Sequence, residues 1–229
     1  MRSHFHSALE ALELEVLGMG ELTERAIERG VLSLVTADDA LADAVIAEDD
    51  AIDARYLDVE QRIMQLLALQ TPVASDLRMV TTLLHCNLHL ERIADMAVNV
   101  ANIGRAVSGF PRSDRVLGRL QEMGDLVRPM VRTAMEALSR RDADLAVSLS
   151  RMDDPVDRLN MGMYQEVLAL DGDRRLLEWG LRMIVISRLL ERAGDHAVDI
   201  AEQVNFLITG EFREFTDASH PTSAGADDV

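Results

Sequence analysis

Two stretches one hundred residues apart carry the same acidic spacing. Glu91-Arg92-Ile93-Ala94-Asp95-Met96-Ala97-Val98-Asn99 returns as Glu191-Arg192-Ala193-Gly194-Asp195-His196-Ala197-Val198-Asp199. A second carboxylate pair precedes each stretch: Asp49 and Asp53 in the first half, Asp153 and Asp157 in the second. Every pair is spaced i,i+4, so on a helix its members lie one turn apart on one stripe. Carboxylates held close together repel, and such a cluster needs arginines, protons or a cation to compensate it. An all-oxygen donor set suits hard cations such as magnesium or manganese, and iron also binds carboxylates. The candidate ligands are therefore Asp49, Asp53, Glu91 and Asp95, then Asp153, Asp157, Glu191 and Asp195, with Asn99 and Asp199 as possible auxiliaries one turn further on.

The elements that must position these groups are helices. With Glu91 at 0° on a helical wheel, Asp95 falls near about 40° and Asn99 near about 80°. Leu83, Leu90, Ala94, Ala97 and Ala101 gather on one side and mark the core. The acidic ladder flanks that stripe, and the edge placement predicts a shallow, solvent-facing site. Asp49 and Asp53 border a second apolar stripe of Leu41, Val45, Ile52 and Val59. If the two helices pack side by side, four carboxylates converge in each half. The same pattern also describes a solvated acidic face, and the residues alone leave both readings open.

The repeat extends well beyond the acidic pairs. Met19-Gly20-Glu21-Leu22 corresponds to Met123-Gly124-Asp125-Leu126, Asp38 to Asp142, and Leu41-Ala42 to Leu145-Ala146. The offset drops from 104 to 100 between residues 66 and 91, where Gln70–Ser75 faces a shorter Asp171-Gly172-Asp173-Arg174. A length change of that size belongs in a loop. Each half reads as three helices, near Ser7–Leu34, Asp38–Leu69 and Ser75–Val107, then Asp114–Ser139, Asp142–Leu170 and Asp173–Ile208. Asp38, Asp142 and Ser75 are predicted N-caps, with the chain broken at Thr71-Pro72. Pro129 and Pro155 are expected to kink their helices. The fold class is all-α, two tandem homologous three-helix bundles with six long helices. The domains are residues 1–110 and 111–210, and residues 211–229 form an acidic tail, small and polar after about Phe215 and expected to be disordered.

Composition narrows the function. The chain has 229 residues, 48% hydrophobic and 3% aromatic, which fits a helical core rather than sheets. No apolar run reaches the roughly 20 residues needed to span a bilayer, and the N-terminus lacks a signal-peptide segment. A single cysteine, Cys86, excludes an internal disulfide and fits a reducing cytoplasm. A net charge of −17 argues against nucleic acid and anionic membrane surfaces as partners. No histidine follows a glutamate by three residues, as an inward-facing di-iron centre requires. Phosphate-binding and nucleophile-elbow motifs are also missing from the sequence. The chain reads as a binding or regulatory protein rather than an enzyme. His85 and His89 lie away from the ladder on the wheel, opposite Val185 and Leu189 in the repeat, and are expected to be exposed. His196 has Met96 as its counterpart. The methionines are expected to fill the core, and Cys86 to be buried.

The duplicated Glu-Arg-Ile/Ala-x-Asp-x-Ala-Val-Asn/Asp-Ile/Val-Ala ending resembles the PhoU family of phosphate-uptake regulators. Val45–Asp53, Pro72–Arg78, Phe5 and Met19-Gly20 resemble further stretches of that family. The likeness covers about residues 4–210. It implies a cytoplasmic, homodimeric helical regulator that links the ATPase of the phosphate ABC transporter to a sensor histidine kinase. Such a protein restrains phosphate uptake and represses the phosphate-starvation response when phosphate is plentiful. The resemblance also implies iron, zinc, magnesium or manganese on the eight carboxylates. The first site is expected to be the better formed, because Pro155 interrupts the Asp153–Asp157 pair and the second half lacks the Pro72–Arg78 stretch. The alternatives are a carboxylate-bridged metal-storage protein and an orphan metalloenzyme on a helical bundle.

Overall fold

A computed structural model describes residues 2–70, 72–170 and 174–215. Its helices are α1 (Arg2–Thr36), α2 (Asp39–Leu69), α3 (Ser75–Ala106), α4 (Asp114–Arg140), α5 (Ala143–Val147), α6 (Leu149–Leu168) and α7 (Arg174–Thr209). These are the two three-helix bundles expected from the repeat, with the middle helix of the second divided at Ser148. Thr71, the expected start of the last helix at Asp173, and the tail from residue 216 lie outside the described residues. Before that point residues 211–215 carry no helix, yet Phe215 is buried and its backbone N–H donates to Glu202 Oε1 at 2.6 Å.

The first turn of each bundle is built twice from the same parts. Asp38 Oδ1 accepts from the Leu41 N–H and Asp142 Oδ1 from the Leu145 N–H, each at 2.9 Å. The residue before each cap, Ala37 or Arg141, is left-handed at φ 54°. That conformation lets the Asp38 and Asp142 N–H groups reach back to the Ser33 and Ala137 carbonyls, which closes the preceding helix. Ser75 does not cap α3. The capping position is Ala74, which makes no side-chain bond, and Ser75 is the first helical residue.

Neither proline ends its helix. α4 runs unbroken through Pro129. Pro155 lies inside α6, with the helix divided one to two turns upstream. A proline removes the bond to the carbonyl four residues before it, here Arg151, so its effect falls N-terminal to itself. Asp153 and Asp157 stay one turn apart on a continuous helix.

Packing follows the repeat. α1, α2 and α3 contact one another, and α4, α5, α6 and α7 do the same. The halves join through α1 against α4 and α3 against α7. One continuous core runs through both, including Leu83, Leu90 and Ile93 of α3 and Trp179, Met183 and Ile186 of α7. α2 and α5–α6 touch only their own half, so the α2–α3 and α6–α7 seams stand on the outer flanks. Among the described residues, no helix is long and apolar enough to cross a membrane.

Candidate metal centres

The α6–α7 seam brings the second set of carboxylates together. Asp153, Asp157 and Asp195 each place an oxygen within 4.8 Å of the other two. Asp153 is fully buried, Asp157 is 2% exposed and Glu191 4%. Glu191 accepts a hydrogen bond from Arg188 through Oε1, while its buried Oε2 has no hydrogen-bond partner. Burial, and then the charge of Asp195, push the Glu191 carboxyl up to about 7; Asp157 adds to the rise and Arg188 opposes it. The depth comes from Gly194. A Cβ there would stand 2.6 Å from Asp153 Oδ1, so only glycine lets this carboxylate lie against α7.

The α2–α3 seam holds the first set more loosely. Asp53 is exposed, and Asp49, Glu91 and Asp95 are half-buried. The four sense one another electrostatically. Burial, followed by Asp53, Asp95 and Asp50, pushes Asp49 up to about 6. Burial and Asp95 raise Glu91; burial and Asp53 raise Asp95. Asp49 Oδ1 and Glu91 Oε2 are buried without a hydrogen-bond partner. The nearest cation is Arg92, whose Nε lies 3.7 Å from Glu91 Oε2. Ala94 stands where the second half has Gly194.

Shallow placement therefore describes the first site and not the second. The ranking inferred from Pro155 is reversed, because the proline leaves the acidic stripe intact and Gly194 draws it inward. Buried carboxylate oxygens without donors, raised carboxyl pKa values and an all-oxygen donor set together fit a hard divalent cation. Asp49, Asp53, Glu91 and Asp95 could hold one, and Asp153, Asp157, Glu191 and Asp195 another.

Other expectations divide. His85 is exposed and Cys86 is buried, with desolvation pushing its thiol up to about 12. Asn99 is exposed. Asp199 turns its Oδ2 towards His196 Nδ1 at 3.1 Å and His89 Nδ1 at 3.4 Å. His89 is not exposed: only 17% of its side chain is accessible, because α7 covers the side of α3 that a single-core wheel leaves to solvent. Burial pushes this imidazole down to about 4 against the pull of Asp199. Arg188 and Gly194 were not singled out by sequence reasoning. Their signal lay in the repeat itself, where Leu88 and Ala94 hold the matching positions. Glu166, buried and paired with Arg115 and Arg119 at 2.6 and 2.7 Å, was also passed over, although Arg62 holds its matching position.

Both halves match the family model described as "PhoU domain", over residues 16–104 and 120–204. A relative from Pseudomonas putida, called a phosphate-specific transport system accessory protein PhoU homolog, is 34% identical over 94% of this chain and 83% of its own length. The crystal structure of PhoU from Pseudomonas aeruginosa superposes with a TM-score of 0.85 at 35% identity, covering 90% of this chain and all of that one. The phosphate transport system regulatory protein PhoU from Streptococcus pneumoniae gives 0.84 at 27% identity, over 92% of this chain and all of that one. With both repeats matched and relatives spanning nearly its whole length, this chain belongs to the PhoU family.

Proposed function

We propose that this chain is a cytoplasmic, non-catalytic accessory protein of phosphate-specific transport. It restrains phosphate uptake and represses the phosphate-starvation response when phosphate is plentiful. As a homodimer it reports the state of the ABC transporter, through its ATPase, to a sensor histidine kinase. The observation that carries this reading is the match of both repeats to the PhoU domain, together with relatives named as accessory proteins of phosphate-specific transport. The two carboxylate clusters are its candidate cation sites. A divalent ion bound there neutralises the mutual repulsion of the acidic groups and ties α2 to α3 and α6 to α7. The residues themselves supply the binding oxygens and hold the helix pairs in register.

The reading is tested with a phosphate-starvation reporter in phosphate-replete cells lacking this protein. Deletion is expected to switch the reporter on and raise phosphate uptake, and the wild-type chain to reverse both. A reporter that stays silent on deletion, with uptake unchanged, contradicts the proposal.

A further inference from the structure

Outside the carboxylate clusters, one more group of metal-ligating side chains converges among the described residues, where α3 crosses α7. His89 Nδ1 lies 3.2 Å from His196 Nδ1. Asp199 Oδ2 lies 3.1 Å from His196 Nδ1 and 3.4 Å from His89 Nδ1. The three atoms form a nearly equilateral triangle. Two ligands of a tetrahedral zinc ion, with bonds of about 2.0–2.2 Å, stand roughly 3.3–3.6 Å apart. The triangle thus has the dimensions of one face of a zinc coordination tetrahedron.

One ring N–H, shared between its two neighbours, is the most that neutral imidazoles supply to these three contacts. A neutral imidazole carries one N–H. If His196 Nδ1–H donates to Asp199, the bare Nδ1 of His89 faces a nitrogen and a carboxylate oxygen. If His89 donates instead, the lone pair of His196 Nδ1 faces the Asp199 oxygen. Two facing N–H groups repel. A cation seated just above the triangle accepts all three lone pairs at once. The side chains are 17%, 21% and 43% accessible for His89, His196 and Asp199, which leaves a route from solvent.

The repeat supplies an internal control. The offset of 100 carries His89, His196 and Asp199 onto Leu189, Met96 and Asn99, which offer no comparable donor set. The cluster exists once per chain and bridges the two halves, whereas each carboxylate cluster lies within one half.

We propose that His89, His196 and Asp199 form a site for one zinc ion, separate from the carboxylate clusters, that pins α3 to α7. Its nitrogen donors select a borderline transition metal over magnesium. The proposal does not depend on the role in phosphate transport.

The test titrates the full chain with zinc, and with cobalt(II) as its spectroscopic stand-in. Three variants are compared with wild type: His89→Leu with His196→Met, which installs the other repeat's residues; Asp199→Asn; and the four-amide change of Asp153, Asp157, Glu191 and Asp195. Wild type is expected to bind one zinc more per chain than the histidine variant, and to give an intense tetrahedral cobalt band that this variant lacks. Asp199→Asn is expected to weaken zinc at least tenfold, and the four-amide variant to keep the band. The proposal is overturned if the histidine variant, or Asp199→Asn should the former not fold, keeps wild-type zinc binding and spectrum. It is equally overturned if the band vanishes in the four-amide variant while that protein remains folded, since the metal then sits among the carboxylates.

Discussion

The α2–α3 and α6–α7 seams carry the same four acidic positions, yet one site is an open rim and the other a largely buried cluster. In the first, Asp53 is exposed and the nearest arginine is 3.7 Å from Glu91. In the second, Asp153, Asp157 and Glu191 are almost inaccessible and Arg188 bonds Glu191 directly. Two substitutions between the repeats account for much of the contrast: Ala94 against Gly194, and Leu88 against Arg188. Spacing along a helix decides which carboxylates meet. The size of the residue between them decides how deep they lie.

The largest effect that sharpens this contrast is loss of the acidic ligands. Changing Asp153 and Asp157 to Asn is expected to weaken manganese binding at the second site about 100-fold, whereas Asp49→Asn with Asp53→Asn weakens the first about tenfold. Each lost charged contact costs about 1.5–3 kcal/mol when buried and less where water replaces it. Calorimetric titration with manganese measures both, and equal losses at the two sites break the distinction. Next in size, Gly194→Ala is expected to cost the second site about tenfold, because its Cβ displaces Asp153 Oδ1. The reciprocal Ala94→Gly is expected to leave first-site affinity unchanged and lose about 1 kcal/mol of helix stability; thermal melts with and without manganese separate the two.

Proton linkage gives a smaller, signed difference. Glu191 is raised from 4.5 to about 7 and Asp49 from 3.8 to about 6. A raised carboxyl keeps its proton in the folded chain at pH values where the unfolded chain has released it. Its stabilisation is therefore present at low pH and is lost as pH rises through the folded value. With a chelator present, wild type is expected to lose stability relative to Glu191→Gln between pH 4.5 and about 7, by at least about 2 °C in Tm. Relative to Asp49→Asn the loss falls between 3.8 and about 6. His89, pushed down to about 4, has the opposite slope below its ordinary value, which is why each variant is compared with wild type at the same pH. Parallel curves for wild type and Glu191→Gln contradict the burial of that carboxyl. Smallest of all, Arg188→Leu removes a largely exposed partner. It is expected to change stability by less than about 1 kcal/mol and to tighten cation binding at the second site a few-fold, read by the same titration.

The architecture was legible because the repeat is long and its apolar stripes are regular. Asp38 and Asp142 announced the second helix of each half through cap chemistry that depends only on neighbouring residues. The convergence of Asp153, Asp157 and Asp195 followed from i,i+4 spacing once two helices were placed side by side. What a helical wheel lacks is knowledge of the third neighbour. His89 was assigned to solvent because the wheel shows α3 against its own bundle, while α7 covers the opposite side. The depth of the second site was missed for a related reason. A glycine in an acidic motif reads as a weak helix residue until the atom that occupies its missing Cβ, Asp153 Oδ1, is known.

The measurement closest to the central claim is the phosphate-starvation reporter in phosphate-replete cells carrying, as their only copy, a chain with all eight carboxylates of the two clusters changed to amides. If the clusters carry repression, this folded variant leaves the reporter on while wild type silences it. Full silencing by the eight-amide chain, at wild-type abundance, contradicts the account and reduces both clusters to acidic faces of a helical scaffold.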